Sequence, residues 1–266
     1  MRLHVHVWGD PGAAPVVCLH GVSAHGRRFR KLAEERLAAR FRVLAPDLRG
    51  HGRSDYDPPW DLATHVDDLL ETLDEASVRV AAWVGHSLGG RLLLELAARV
   101  PERLRCAVLL DPAIQILPHV GRDFAEEAAK DHSYASLDEA IEARLASGAP
   151  TPRAFVEEEA REHLVPAADG RLRWQICAPA VVTVYSELCR EPPPAAVLTR
   201  MPVLLVHASR FGLVREEQLE EYEVTLGEQV EVVAVPGGHI VYWDAYRQTA
   251  DAVETFLIRH ALVSYA

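Results

Sequence analysis

A chain of 266 residues with 49% apolar and 25% charged residues has room for one large α/β domain plus an insertion, and the composition is ordinary for a soluble globular enzyme. Its formal net charge of -11 argues against a nucleic-acid partner, because phosphate binding calls for a basic surface. No apolar run approaches the roughly 18–20 residues needed to cross a bilayer, so no membrane partner is expected.

The first stretch, Met1-Arg2-Leu3-His4-Val5-His6-Val7-Trp8, alternates like a half-buried strand near a sheet edge and lacks the apolar h-region of a signal peptide. A cytoplasmic protein is therefore expected. After the turn Gly9-Asp10-Pro11-Gly12 comes Pro15-Val16-Val17-Cys18-Leu19, a continuous apolar run of the kind buried on both faces of a sheet. It ends in the small-residue loop His20-Gly21-Val22-Ser23-Ala24-His25-Gly26, which enters a helix predicted at about 27–39. Phe41-Arg42-Val43-Leu44-Ala45 is the next strand and runs into a loop dense in glycine and charge, 46–55. Val66, Leu69, Leu70 and Leu73 recur at helical spacing, with Asp61 or Thr64 as cap.

A short β-rich run, 78–84, then stops at Gly85-His86-Ser87-Leu88-Gly89-Gly90, and a helical stretch follows at once. This is G-x-S-x-G in the strand–turn–helix context that gives the motif meaning. Side chains at the glycine positions would clash in so tight a turn, which forces the serine into an unfavourable backbone conformation. The free amides at the start of the new helix suit an oxyanion forming beside Ser87. A capping serine in a plain Gly-rich turn is the bland alternative. Cys106-Ala107-Val108-Leu109-Leu110 is the following strand and ends at Asp111-Pro112.

Strands alternating with helices imply a mostly parallel sheet, here of about seven strands, with function gathered at the carboxyl ends. His20, Asp47, Ser87 and Asp111 all fall at such ends and can face one crevice. The strand–helix rhythm breaks over residues 113–198. Leu137, Ile141 and Leu145 make one helical face, Val156, Ala160 and Leu164 a second, and Val181, Val184, Tyr185 and Leu188 a third. No strand is evident there, so the segment reads as a helical cap over the crevice, closed by Glu191-Pro192-Pro193-Pro194. Its apolar residues either line an acyl pocket or pack on one another. The core is then 1–112 with 199–266, resuming at the strand 202–207 and continuing through an acidic helix (Leu219 and Tyr222 inward) to the strand 230–235. Pro236-Gly237-Gly238-His239-Ile240 follows directly, ahead of a last helix at about 242–260.

A serine hydroxyl needs a base within hydrogen-bond reach. His239, on a glycine-rich loop just past a strand, is the best placed of the 13 histidines, whereas His86 points away across the turn. The four cysteines show no metal-ligand spacing: Cys18 and Cys106 lie in apolar strands, and Cys177 and Cys189 could meet in the insertion, although a cytosolic chain would keep them reduced.

With His20-Gly21, the loop Asp47-Leu48-Arg49-Gly50-His51-Gly52-Arg53-Ser54, the serine motif and Gly238-His239 in this order, the chain resembles the α/β-hydrolase fold family, in its cap-bearing esterase and lactonase branch. The resemblance implies an oxyanion hole made by the backbone N–H groups of Val22 and Leu88, and no catalytic part for the loop 47–54. The family's usual acid follows the penultimate strand in a pattern like H-G-x-x-D-x-x-V, but here that position holds Phe211. Either Asp111, at the end of the strand after the nucleophile helix, supplies the acid, or the triad is defective and the protein binds without cutting. Glu216 and Glu217 are a poorer option because they start a helix. The expected activity is carboxylic ester hydrolysis, with a lactonase or a perhydrolase-type haloperoxidase as variants of the same chemistry. No metal or organic cofactor is implied. His86, Phe211, Tyr242 and Trp243 are expected near the substrate pocket, core packing being the alternative for the last two. The oligomeric state is left open.

Overall fold

The structure is a computed structural model that describes residues 2–262 except 149, 211 and 212. In chain order the strands are β1 (Val5–Trp8), β2 (Ala14–Leu19), β3 (Phe41–Pro46), β4 (Ala81–His86), β5 (Leu104–Leu110), β6 (Ser133–Tyr134), β7 (Leu164–Pro166), β8 (Leu172–Trp174), β9 (Val203–Ala208) and β10 (Val230–Val235). Seven of them form one sheet in the order β1-β3-β2-β4-β5-β9-β10. Only β1 is antiparallel; every other neighbouring pair runs parallel. The continuous apolar runs occupy the central strands, where Val16, Val17, Cys18, Leu19 and the stretch 106–110 are sealed from solvent. Parallel pairing brings the carboxyl ends of β2, β3, β4, β5, β9 and β10 to one rim, and that rim carries the site.

Helices cover both faces. On one, Leu62–Glu75, Leu88–Arg99 and Glu216–Leu226 contribute Val66, Leu69, Leu73, Leu92, Leu96 and Tyr222 to an apolar layer. On the other, the helical turns 26–37 and the helix Tyr246–Ala261 contribute Phe29, Leu32, Leu37, Val253 and Leu257. Asp61 caps the first of these helices by accepting the Thr64 N–H at 2.8 Å. The last helix, expected as one piece, is two: Val241–Asp244 is separated from Tyr246–Ala261 by the non-helical backbone of Ala245 (φ -130°, ψ 46°).

Residues 113–198 hold the helices Pro118–Ala128, Leu137–Ala146, Arg153–His163 and Ala178–Leu188. They also hold a small antiparallel sheet, β6-β8-β7, where the sequence showed no strand. Strands of two or three residues are too short to display an alternating pattern. The polar turn at Ala167 and Gly170 joins β7 to β8 as a hairpin. Ile141, Val156 and Ala160 pack with Leu137, Leu145, Leu164 and Trp174, so these apolar faces meet one another. Val184 and Leu188 join the apolar layer over the main sheet instead.

Cys177 and Cys189 remain free thiols. They flank the 11-residue helix Ala178–Leu188 at opposite ends, and at about 1.5 Å of rise per residue no disulfide can join them.

Both ends of this segment meet at one buried side chain. Arg91, 1% exposed, donates to the carbonyls of Ile114 (2.8 Å), Arg190 (3.2 Å) and Glu191 (3.1 Å) and pairs with Glu95 (2.9 Å). The Ile116 N–H donates to the Leu188 carbonyl beside it. Farther out, the segment is bonded to the glycine-rich loop through Cys177 N–H to Gly50 O and Gly52 N–H to Gln175 O. Among the described residues no helix is long and apolar enough to cross a membrane.

Candidate active site

Ser87 occupies the sharp turn between β4 and the helix Leu88–Arg99, with φ 52° and ψ -113°. A non-glycine residue in that region is strained, and the surroundings hold it there. Its N–H donates to Leu110 O, while its carbonyl accepts from Arg91 N–H and Ala113 N–H. The flanking glycines are required by close approach: a Cβ on Gly85 would meet the Gly89 carbonyl, and one on Gly89 would meet the Leu19 carbonyl. Ser87 itself is 7% exposed.

Asp111 follows β5 in a second strained conformation, φ 40°, and is sealed from solvent. One carboxylate oxygen accepts the Ala208 N–H at 3.2 Å. The other accepts His239 Nδ1–H at 2.6 Å, across 128 residues of chain. Asp111 therefore reaches over the end of β9 to the loop after β10. Phe211, at the family's usual acid position, lies outside the described residues, so neither its environment nor its expected place near the pocket is described. Glu216 and Glu217 open the helix Glu216–Leu226, as expected.

Sequence reasoning missed what His86 does. Its ring packs on that of His239 with centroids 4.6 Å apart, and its Nε2–H donates to the His239 carbonyl at 2.9 Å. The residue before the serine thus holds the histidine loop in place. Burial, then the neighbouring His239, pushes the His86 pKa well below its ordinary value, so the ring is neutral and serves as a fixed donor. The 153-residue separation leaves no trace in local sequence. Beyond it, Asp244 accepts Ile240 N–H at 3.2 Å and the Thr151 hydroxyl at 2.8 Å, fastening the far side of the same loop to the insertion.

The loop after β2 closes the other side. A Cβ on Gly21 would lie 2.9 Å from both the Ser87 Cβ and His86 Nδ1, so this loop passes directly against the serine turn. Val22 N–H makes no hydrogen bond among the described residues, and Leu88, first in its helix, has no carbonyl one turn earlier to bond. Both amides are open donors. His20 sets the loop: its Nδ1–H donates to Gly21 O at 2.8 Å and its Nε2 accepts Leu48 N–H at 2.9 Å. Asp47 accepts Gly26 N–H (2.7 Å), Arg53 N–H (2.9 Å) and His6 Nε2–H (3.2 Å). Burial opposes its charge, yet His6 and the amides hold its carboxyl below the usual carboxylate range. His4, His6 and Asp47 cluster closely enough to suggest metal ligation, but the Asp47 oxygens are already committed to these donors.

Beside the loop after β2, between it and the insertion, lies a cavity of about 640 Å³. Ser23 and Arg28 border it from the core, and Tyr134, Arg144, Trp174, Ile176, Val181 and Tyr185 are among its residues from the insertion. His86, Tyr242 and Trp243, expected near the substrate pocket, are not among its residues, and neither are Ser87 and His239. Tyr242 stacks on Phe29 at 4.7 Å in the core, and Trp243 stacks on Phe155 at 4.8 Å while its indole N–H donates to Arg28 O.

This arrangement agrees with what the chain is similar to. A family model of the alpha/beta hydrolase fold matches residues 14–246, and the chain belongs to that family. It is 35% identical to the lipase LipV of Mycobacterium tuberculosis over 242 residues, 90% of this chain and 91% of the relative. It is 29% identical to a 2-(acetamidomethylene)succinate hydrolase of Mesorhizobium japonicum over 93% of this chain and 90% of that one. A crystal structure of E-2-(acetamidomethylene)succinate hydrolase superposes with a TM-score of 0.86 at 25% identity, covering 96% of this chain and 95% of the other. Relatives named lipase and esterase support hydrolysis of esters as the general chemistry.

Proposed function

We propose that the protein is a serine hydrolase of carboxylic esters, with Ser87 as nucleophile, His239 as general base and Asp111 as the acid that orients it. The observation that carries this reading is the 2.6 Å bond from His239 Nδ1–H to a sealed Asp111 carboxylate, on the loop that His86 holds against the serine turn. With Nδ1 occupied by its proton, Nε2 is the basic nitrogen left to serve the hydroxyl. His239 takes the proton as Ser87 attacks the carbonyl; the Val22 and Leu88 amides stabilise the oxyanion; His239 protonates the leaving alcohol and then activates the water that frees the acid. Each amide donor contributes about 3–4 kcal/mol at the transition state. Residues 113–198 act as the cap that closes over this crevice, and the protein is read as cytoplasmic.

The test is hydrolysis of short p-nitrophenyl esters and of lactones by the wild type and Ser87→Ala. Loss of kcat on the order of 10⁶-fold in the variant is expected. A variant that keeps turning over removes Ser87 from the chemistry. A wild type inert across both panels favours a ligand-binding protein instead.

A further inference from the structure

The cavity beside the Val22 loop is walled by charge, and nearly every charge in it is answered. Arg28 is bonded to Glu159 (Nε to Oε1, 2.6 Å), Lys130 pairs with Glu127, and Arg173 pairs with Asp169 at 2.7 Å. Arg144 is the exception. It lines the same space from the helix Leu137–Ala146, and among the described residues its guanidinium makes no ion pair and no hydrogen bond. Arg144 is exposed to the open cavity; desolvation and then the nearby Arg28 lower its pKa, against the attraction of Glu159.

Two phenols complete the set. Tyr134 packs edge-on against Trp174, and Tyr185 packs against Phe124. Both line the cavity, and both are near enough to act on the charge of Arg144. Their hydroxyls make no hydrogen bond among the described residues. Burial raises the Tyr185 pKa, so its phenol keeps the proton it can donate. A planar guanidinium flanked by neutral hydroxyl donors matches a carboxylate. Each acid in the same wall is paired with a cation, Glu159 with Arg28, Glu127 with Lys130 and Asp131 with Arg173, which limits its repulsion of such a ligand.

We propose that the substrate is an ester whose acyl chain also ends in a free carboxylate, a half-ester of a dicarboxylic acid, and that Arg144 receives this carboxylate with Tyr134 and Tyr185 donating to it. The inference rests on the serine-hydrolase reading for the position of the scissile bond: Ser23, the residue after the proposed oxyanion donor Val22, borders the cavity.

The experiment follows proton release from monomethyl glutarate and from methyl valerate, which have the same chain length and differ in the carboxylate. The wild type is expected to favour the half-ester in kcat/KM by about tenfold or more, as for a hydrogen-bonded charge pair. Arg144→Gln brings the ratio toward one, and Arg144→Lys restores part of it. Arg153→Gln, whose guanidinium pairs with Glu142 on the surface, keeps the ratio. A wild type that favours methyl valerate, or a preference that survives Arg144→Gln, overturns the proposal.

Calorimetric binding of glutarate to Ser87→Ala provides a reading that needs no turnover. Binding there that is lost in Ser87→Ala/Arg144→Gln supports the carboxylate site even if neither ester is cleaved, which would leave only the hydrolase reading refuted. Absence of binding to Ser87→Ala overturns the site.

Discussion

Charge is managed in opposite ways at the sheet rim and in the insertion. At the rim, Asp111, Asp47, His20 and His86 are sealed, and each has at least one bond to a backbone amide or carbonyl that the fold fixes. In the insertion, charges are met by other long side chains at the surface, as in Arg153–Glu142, Arg161–Glu157 and Arg173–Asp169. Backbone-anchored groups cannot drift without moving a strand end, whereas side-chain pairs can be exchanged singly. The rim suits a reaction that tolerates little error, and the insertion suits selectivity. Strain follows the same division: of the four described non-glycine residues with positive φ, Ser23, Ser87 and Asp111 belong to the rim, and only Ser77 lies elsewhere.

The contrast can be broken most forcefully at Asp111. Asp111→Asn should leave the protein folded and lower kcat by up to about 10⁴-fold, because His239 loses the partner that fixes its tautomer. Near-normal turnover in steady-state assays, with an unchanged circular dichroism spectrum, would remove Asp111 from the chemistry.

Next in size is the pair Arg28–Glu159, which joins the core to the insertion and is buried like the rim groups but made of side chains alone. Glu159→Gln should cost about 3–5 kcal/mol in urea denaturation, since it strands a buried guanidinium. A cost as small as that of a surface pair would show that burial matters less here than argued.

Acid should attack the two regions in turn. Burial lowers His51 to about 4 and His65 to about 3, so below about pH 6.5 the unfolded chain takes up protons that the folded chain refuses. Each such imidazole then removes about 1.4 kcal/mol per pH unit as the pH falls toward its folded value. Burial opposes the Glu159 charge, but Arg28 and His25 hold that carboxyl well below its ordinary range. Its contribution is present above about pH 4.3 and is lost as the pH falls further. Denaturation midpoints measured from pH 7 to pH 4 should therefore decline steeply below 6.5, and a flat profile would contradict the neutral, buried state of these rings.

The smallest effect belongs to the exposed pair Arg173–Asp169. Asp169→Asn should leave the Tm unchanged within error.

Much of this was legible in advance, for identifiable reasons. Six strands of the main sheet announce themselves as apolar runs with few alternative fates, and β1 by its alternation. Ser87, Asp111 and His239 could be named as candidates because strand ends and glycine-rich turns are local features. The role of His86 was not, since it depends on a closure spanning 153 residues. The helix Pro118–Ala128 escaped notice although Val120, Phe124 and Ala128 fall at helical spacing, and it fully buries only Gly121. The strands β6, β7 and β8 escaped because pairing, not pattern, defines them. Arg144 was invisible as well: its significance is the lack of a partner, which only the folded chain reveals.

The grip of Arg91 on Ile114, Arg190 and Glu191 has a practical corollary. Entry to and exit from the insertion are clamped at one point, four positions beyond Ser87, while the segment between is tied to the core again at Gly50 and Gly52, at Arg28 and at Asp244. Transplanting a different segment at residues 114 and 190 should therefore graft new substrate preferences only if Arg91 is retained and the partners of Arg28, Asp244 and the Gly50–Gly52 loop are carried over. The same operation with Arg91→Met should leave the two stems splayed.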